Sequence, residues 1–277
     1  MSSQDDIAAL LAWYQEAGVT ATAVDAPAPL LGLEPARRKP SAPPAQKRPA
    51  QRAAPPSNPE PAATHLAPAL ERAANAAGAA VDLASLRQAI ADFDGSGLRE
   101  TATNLVFADG NPEANLMLLG EAPGADEDRQ GLPFVGVSGQ LLDRMMACIG
   151  YDRTRFYISN ILPWRPPGNR KPTADEIGMF LPFVRRHIAL VRPTVLLLLG
   201  GTALTALSNT NQGIMRTRGR WFDLDIPGLI DPVPAIPTFH PAFLLRQPIQ
   251  KRASWRDLLS LRARLEELGL DDIPPMP

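Results

Sequence analysis

Three polar residues stand in or directly after short apolar runs, and their types suit ligand chemistry. Glu121 follows the run NLMLLG, in the turn Gly120-Glu121-Ala122-Pro123-Gly124. Two glycines and a proline there give a sharp bend and let a ligand come close to the backbone. Asn160 lies within RFYISNIL among apolar neighbours, where an unpaired amide would cost ~1–3 kcal/mol. An amide donates and accepts at once, which suits the edge of a nucleobase. His240 follows AIPTF and precedes Pro241; the other two histidines lie near a Pro-rich stretch (His65) and in a helical pattern (His187). Phe134, in QGLPFVGVSG, is an aromatic in a Gly/Pro-rich loop that can stack on a planar ligand. Each has a plainer alternative: a solvated turn glutamate, an asparagine bonded to a neighbouring loop, a structural histidine, a satellite core phenylalanine.

The runs that carry these residues are Asn115–Gly120, Arg155–Leu162, Thr194–Gly200 and Ala235–Phe239. Each is short and apolar throughout, as expected of strands buried on both faces. Helical patterns alternate with them: 81–91, Ser138–Ile149, Thr173–Val191 with a capping box between Thr173 and Glu176, Gly201–Leu207, and Gln250–Leu268. The expectation is a three-layer α/β/α domain around a central four-stranded parallel sheet. Ligands of such sheets bind outside the carboxyl ends of the strands, where Glu121 and His240 fall. Basic residues gather at the same end, Arg165, Arg170 and Lys171 after the second run and Arg246, Lys251, Arg252 and Arg256 after the fourth. They supply the local positive surface a phosphate backbone requires.

The chain has 277 residues, 30 prolines, one cysteine and a net charge of −1. One cysteine excludes an intramolecular disulfide and a four-cysteine metal site within the chain. Near-neutral charge gives no global field for polyanions. No apolar run reaches the ~18 residues of a membrane helix, and the acidic N-terminus makes a poor signal peptide. A cytoplasmic, nucleoid-associated monomer in a reducing setting is the expectation. Eleven prolines fall between Asp25 and Pro61, and Ala36–Pro59 carries six basic residues and no acid. The reading is a short amphipathic helix over 1–20, open to a protein partner, and a disordered linker over 21–80. That linker serves as a solubilising tether or as a polyanion-attracting arm. A folded domain over 81–270 and a flexible tail over 271–277 follow. Cys148 reads as a small core residue on the apolar side of a helix.

Three segments in order, GEAPGADEDRQGLPFVGVSGQLLD, ISNILPWRPPGNRKPTADE and TFHPAFLLRQPIQKRASWRDL, resemble the family 4 uracil-DNA glycosylases. The resemblance spans roughly 81–268. It implies excision of uracil from DNA, with Glu121 orienting or activating the water that attacks C1′ and His240 stabilising charge on the departing base. Phe134 would stack on the flipped uracil and Asn160 would bond its edge, with Gly120 and Ala122 lining the base and Glu127 crowding C5 against thymine. Leu244 and Leu245 would wedge into the duplex, and Ser138, Arg165, Arg246, Lys251 and Arg252 would meet the DNA. A carboxylate on the sugar side and a donor on the base side match the charge separation of N-glycosidic cleavage. No lysine stands at a strand end where a Schiff-base nucleophile would be needed, which favours a monofunctional enzyme.

The family's usual pattern adds four cysteines that hold a [4Fe–4S] cluster. Phe93, Ser96, Trp164 and Phe180 occupy those positions here, and none can supply a thiolate. The expectation is no cluster, with Phe93, Trp164 and Phe180 packed as an apolar substitute. Two other functions remain in view. One is a uracil-DNA sensor with little turnover. The other is a nucleotide-binding module using GEAPG as a phosphate turn, weakened by the lack of a GxGxxG or GxxxxGKS pattern.

Overall fold

The computed structural model describes residues 62–270 apart from 209 and 211. The expected helix over 1–20, most of the expected linker and the tail lie outside the described residues.

The four apolar runs form β2 (Leu116–Gly120), β3 (Phe156–Asn160), β4 (Val195–Leu199) and β6 (Val233–Thr238). They pair in parallel in the order β3-β2-β4-β6. The sheet is wider than expected: β1 (Asp109–Gly110) adds antiparallel to β3 and β5 (Phe222–Leu224) antiparallel to β6. Six strands thus make one mixed sheet among the described residues. The two edge strands are too short to show a period in the sequence.

Strand side chains alternate between two cores, as the pleat dictates. Leu116, Leu118, Phe156, Ile158, Leu197 and Ile236 pack under α5 (Val137–Ala147) and α10 (Lys251–Glu267). Met117, Leu119, Tyr157, Leu196 and Leu198 pack under α6 (Ala174–Val191) and α7 (Gly201–Leu207). The expected three-layer architecture is present. Thr173 caps α6, accepting from the Glu176 amide while the Glu176 carboxylate accepts from the Thr173 amide. Cys148 follows α5 and is partly buried against the first core.

The linker reading fails at its C-terminal end. Residues Ala62–Ala79 form a helix, α1, and α2 (Leu83–Asp92) follows it. Ala69, Ala73 and Ala77 recur at the spacing of one helical face and are buried against a third core that includes Phe180 and Phe183 of α6. Gly178 faces Leu70 across that contact. Small residues let the two helices approach closely, and an alanine stripe leaves only a weak apolar signal in the sequence. The ordered domain therefore begins before Val81.

Candidate active site

The chain crosses from β3 on one side of β2 to β4 on the other, so the crevice between β2 and β4 is a topological switch point. Glu121 lies at its β2 rim, and Thr202, in the first turn of α7, donates its hydroxyl hydrogen to Glu121 Oε2 across the gap. That leaves Oε1 of a half-buried carboxylate for another donor. Thr202 carries no motif, but Gly200-Gly201-Thr202 directly after an apolar run was the signal available.

Next to Glu121, Gly120, Asn160 and Phe134 meet closely, and this meeting point is termed the slot. Gly120 pairs with Asn160 in register across β2 and β3. A Cβ on Gly120 would collide with Asn160 Oδ1 and with the Phe134 ring. The three residues therefore converge, and only glycine fits the first position. Asn160 is 6% exposed, and its Oδ1 is buried without a hydrogen-bond partner. Phe134 is 4% exposed and has left-handed backbone, with φ at 55°. Such a conformation costs a non-glycine residue ~1–3 kcal/mol and persists only when its surroundings enforce it. Ala122 is half-buried next to the slot residues in sequence and packs on the third core.

His240 closes the other side. Its ring lies 5.6 Å from that of Phe134, tilted by 31°. It caps α9 (Pro241–Arg246), with Nδ1 accepting from the Ala242 amide at 3.1 Å. An accepting Nδ1 places the proton of the neutral ring on Nε2, which is then a donor. Burial pushes the imidazole down to about 4, with the Glu121 carboxylate pulling the other way and Arg246 adding to the fall. His240 is therefore neutral near pH 7. The strand end that delivers it is anchored from behind: Thr238 donates to Asp257 at 2.7 Å, and Arg218 pairs with the same carboxylate. Burial raises that carboxyl to about 6. Arg218 also lies 5.4 Å from the Phe239 ring centroid.

Glu127 holds the Phe134 loop. Its carboxylate accepts from the amides of Gly124, Val135 and Gly136 at 2.9–3.1 Å. Charge on Glu127 is thus committed to backbone donors.

The rim departs from expectation at two residues. Leu244 is fully buried in the first core, so it cannot be half of a wedge in this conformation. The segment Pro241–Arg246 is helical, which turns Leu244 inward and leaves Leu245 39% exposed. Ile249, on the following turn, is 79% exposed. Lys251 is 4% exposed, one helical turn from buried Trp255 on the inner face of α10, and burial lowers its pKa. It does not belong to an exposed basic surface. Arg246 and Arg252 are exposed as expected, and Ser138 is half-buried in the first turn of α5. Arg165 is half-buried, donates to Asn169 and lies 3.9 Å from Asp128, and Arg170 is paired with Glu176.

The four positions where the resemblance implies cluster ligands are all buried, Phe93, Trp164 and Phe180 of them in the third core. Phe93 packs edge-on against Phe180 at 5.9 Å and Phe183 at 5.2 Å, with Trp164 in the same core and Ser96 nearby in sequence. Rings and a hydroxyl do not fit an iron–sulfur cluster, which takes thiolates. The substitution is imperfect, since the Trp164 indole N–H has no partner. Among the described residues, no group of three or more His, Cys, Asp or Glu is placed to hold a metal ion. No helix among them is long and apolar enough to cross a membrane.

A mixed sheet with a parallel centre, carrying a carboxylate, an orphaned amide oxygen and a neutral imidazole near its switch point, defines a class, and the chain belongs to the uracil DNA glycosylase superfamily. Its family model matches residues 107–259, from the strand before the slot to the helix behind His240. Within that superfamily the chain is similar to type-4 uracil-DNA glycosylases. It is 39% identical to that of Archaeoglobus fulgidus over 155 residues, 54% of this chain and 77% of the relative. The identity to the Pyrobaculum aerophilum protein is 32% over 182 residues, 64% and 92% of the two chains. With that of Thermotoga maritima it is 37% over 145 residues, 52% and 73%.

Proposed function

We propose that this protein is a DNA-repair glycosylase that extrudes uracil from DNA and hydrolyses its N-glycosidic bond, leaving an abasic site. The observation that carries this reading is the orphaned Asn160 Oδ1, buried beside Gly120 and the Phe134 ring. Uracil offers an N3–H where cytosine offers a bare nitrogen, so uracil satisfies that oxygen. Phe134 stacks on the base.

As the bond from C1′ to N1 breaks, its electron pair leaves with uracil and the sugar gains oxocarbenium character. Nε2–H of His240 donates to the base oxygen on which the negative charge grows. Because the ring is neutral, it stabilises that charge without surrendering a full proton. Glu121, held at Oε2 by Thr202, orients a water with Oε1 and takes its proton as the new C1′–O bond forms. Thr202 is a positioning residue in this scheme.

Uracil-containing DNA is the substrate. Leu245, with Ile249 beside it, fills the space of the extruded nucleotide, and Arg246 and Arg252 meet phosphates. Extrusion costs a few kcal/mol of unstacking, which the slot and the inserted side chains offset. No iron–sulfur cluster takes part, because the ring packing of Phe93, Trp164 and Phe180 supports the loops instead.

The test is a duplex carrying one uracil. Incubation followed by hot alkali gives scission at that site, whereas incubation without alkali leaves the strand whole. Tight binding to the uracil duplex without any scission would replace the enzyme with a sensor.

A further inference from the structure

Phe134 must hold left-handed backbone for its ring to reach the slot, and two charged side chains grip the chain on either side of it. Glu127 accepts from the two amides that follow, Val135 and Gly136. Arg153 supplies the other half. Its Nη2 donates to the Phe134 carbonyl at 2.6 Å and its Nη1 to the Pro133 carbonyl at 3.3 Å.

Arg153 is itself fixed. Its Nε donates to Asp143 of α5 at 2.8 Å and its Nη1 to Asp109 of β1 at 2.9 Å. The guanidinium lies 5.8 Å from the centroid of the Phe156 ring. A planar fork can serve two carbonyls and two carboxylates at once, which an ammonium cannot. From the α5 side the same carbonyl is pressed by Gly139, where a Cβ would collide with the Phe134 oxygen. Nothing here touches the slot directly: Arg153 meets the back of the loop whose ring faces the base.

We infer that Arg153 is a positioning residue for uracil recognition, locking the Phe134 ring in the stacking position through the Pro133 and Phe134 carbonyls. Without it the backbone is free to relax to negative φ, and the ring leaves the slot. The inference rests on the uracil-excising reading of the site.

Arg153→Met and Arg153→Lys test it, compared with wild type for uracil excision, for inhibition by free uracil, and for affinity to undamaged duplex across a salt series. A displaced stacking ring predicts a fall of about 100-fold in kcat/KM for Arg153→Met. The inhibition constant for free uracil should rise in parallel. Affinity for undamaged duplex and its salt slope should stay at wild-type values. Arg153→Lys, which keeps the charge between Asp109 and Asp143, should recover part of the loss. If Arg153→Met does not fold, Arg153→Lys carries the test alone and should show weaker uracil inhibition at a near-native melting temperature. Wild-type inhibition by uracil in either folded variant overturns the inference. A salt slope reduced by about one with unchanged uracil inhibition also overturns it, as that marks a phosphate contact. A wild-type protein that releases no uracil refutes the functional reading instead, so the two failures are distinguishable.

Discussion

The slot at the carboxyl end of β2 and the aromatic core come nearest in sequence at Asn160 and Trp164, four residues apart, yet they are built on opposite terms. In the slot, Phe134 is held in left-handed backbone, Asn160 Oδ1 is left without a partner, and the half-buried imidazole of His240 stays neutral. In the core, Phe93 meets Phe180 and Phe183 edge to face and apolar helices close around them. The slot keeps strain and unsatisfied valence in reserve for a ligand. The core satisfies itself by contact, save for the Trp164 indole. Substitutions in the first region should therefore change chemistry more than stability, and substitutions in the second should do the reverse.

Glu121→Gln is the sharpest way to break that contrast. Loss of the water-activating carboxylate should lower kcat by ~10²–10⁴, with little change in melting temperature. His240→Ala should cost ~10²–10³ in kcat, again in a folded protein. Stopped single-turnover assays and thermal melts on the same samples check both. If either variant instead lost its fold, the site would be structural.

Phe180→Ala probes the other side. Removing a fully buried ring should cost ~3–5 kcal/mol of stability, read by denaturant unfolding, while single-turnover excision at saturating DNA and low temperature stays within a few-fold. The purified wild type should carry neither stoichiometric iron nor acid-labile sulfide, measured by colorimetric assay. Stoichiometric amounts of both would mean that the aromatic core does not stand in for a cluster.

The smallest effect is in acid. His187, buried beside Phe107 and bonded to Tyr157 at 3.0 Å, is held at about 3, and His240 at about 4, both below the ordinary 6.5. The unfolded chain then binds protons that the folded one refuses. Their contribution to stability is complete above about 6.5 and is lost as pH falls towards 4. Asp257, raised to about 6, acts oppositely: its contribution is complete below about 4 and lost as pH rises through 6. Thermal melts from pH 7 to 4 should show a shallower acid decline for His187→Gln than for wild type. An unchanged decline would mean that the buried imidazole is not what the acid limb reports.

Much of this was legible in the residues. Four apolar runs gave the parallel core, the rule that ligands gather at carboxyl ends picked out Glu121 and His240, and the cost of an unpaired amide among apolar neighbours picked out Asn160. Other features had weak or misleading signals. The stripe of Ala69, Ala73 and Ala77 looks like linker composition because alanine buries little area. Leu244 and Leu245 looked equivalent until a single helical turn separated them, one inward and one outward. Lys251 belongs by spacing to the face of Trp255 and Leu258, a pattern that counting charges concealed. Arg153 had no local signature at all, since its partners Asp109, Pro133, Phe134 and Asp143 come together only in the fold.

The most direct test of the central claim is release of the free base. Purified wild type and Glu121→Gln are incubated with duplexes that differ only in carrying uracil, thymine or cytosine at one position, and the released base is quantified by mass spectrometry. Wild type should release uracil from the first duplex and nothing from the other two, and the substitution should reduce uracil release at least a hundredfold, about the loss expected for a general base. Equal release by Glu121→Gln, or no uracil from wild type, would contradict it.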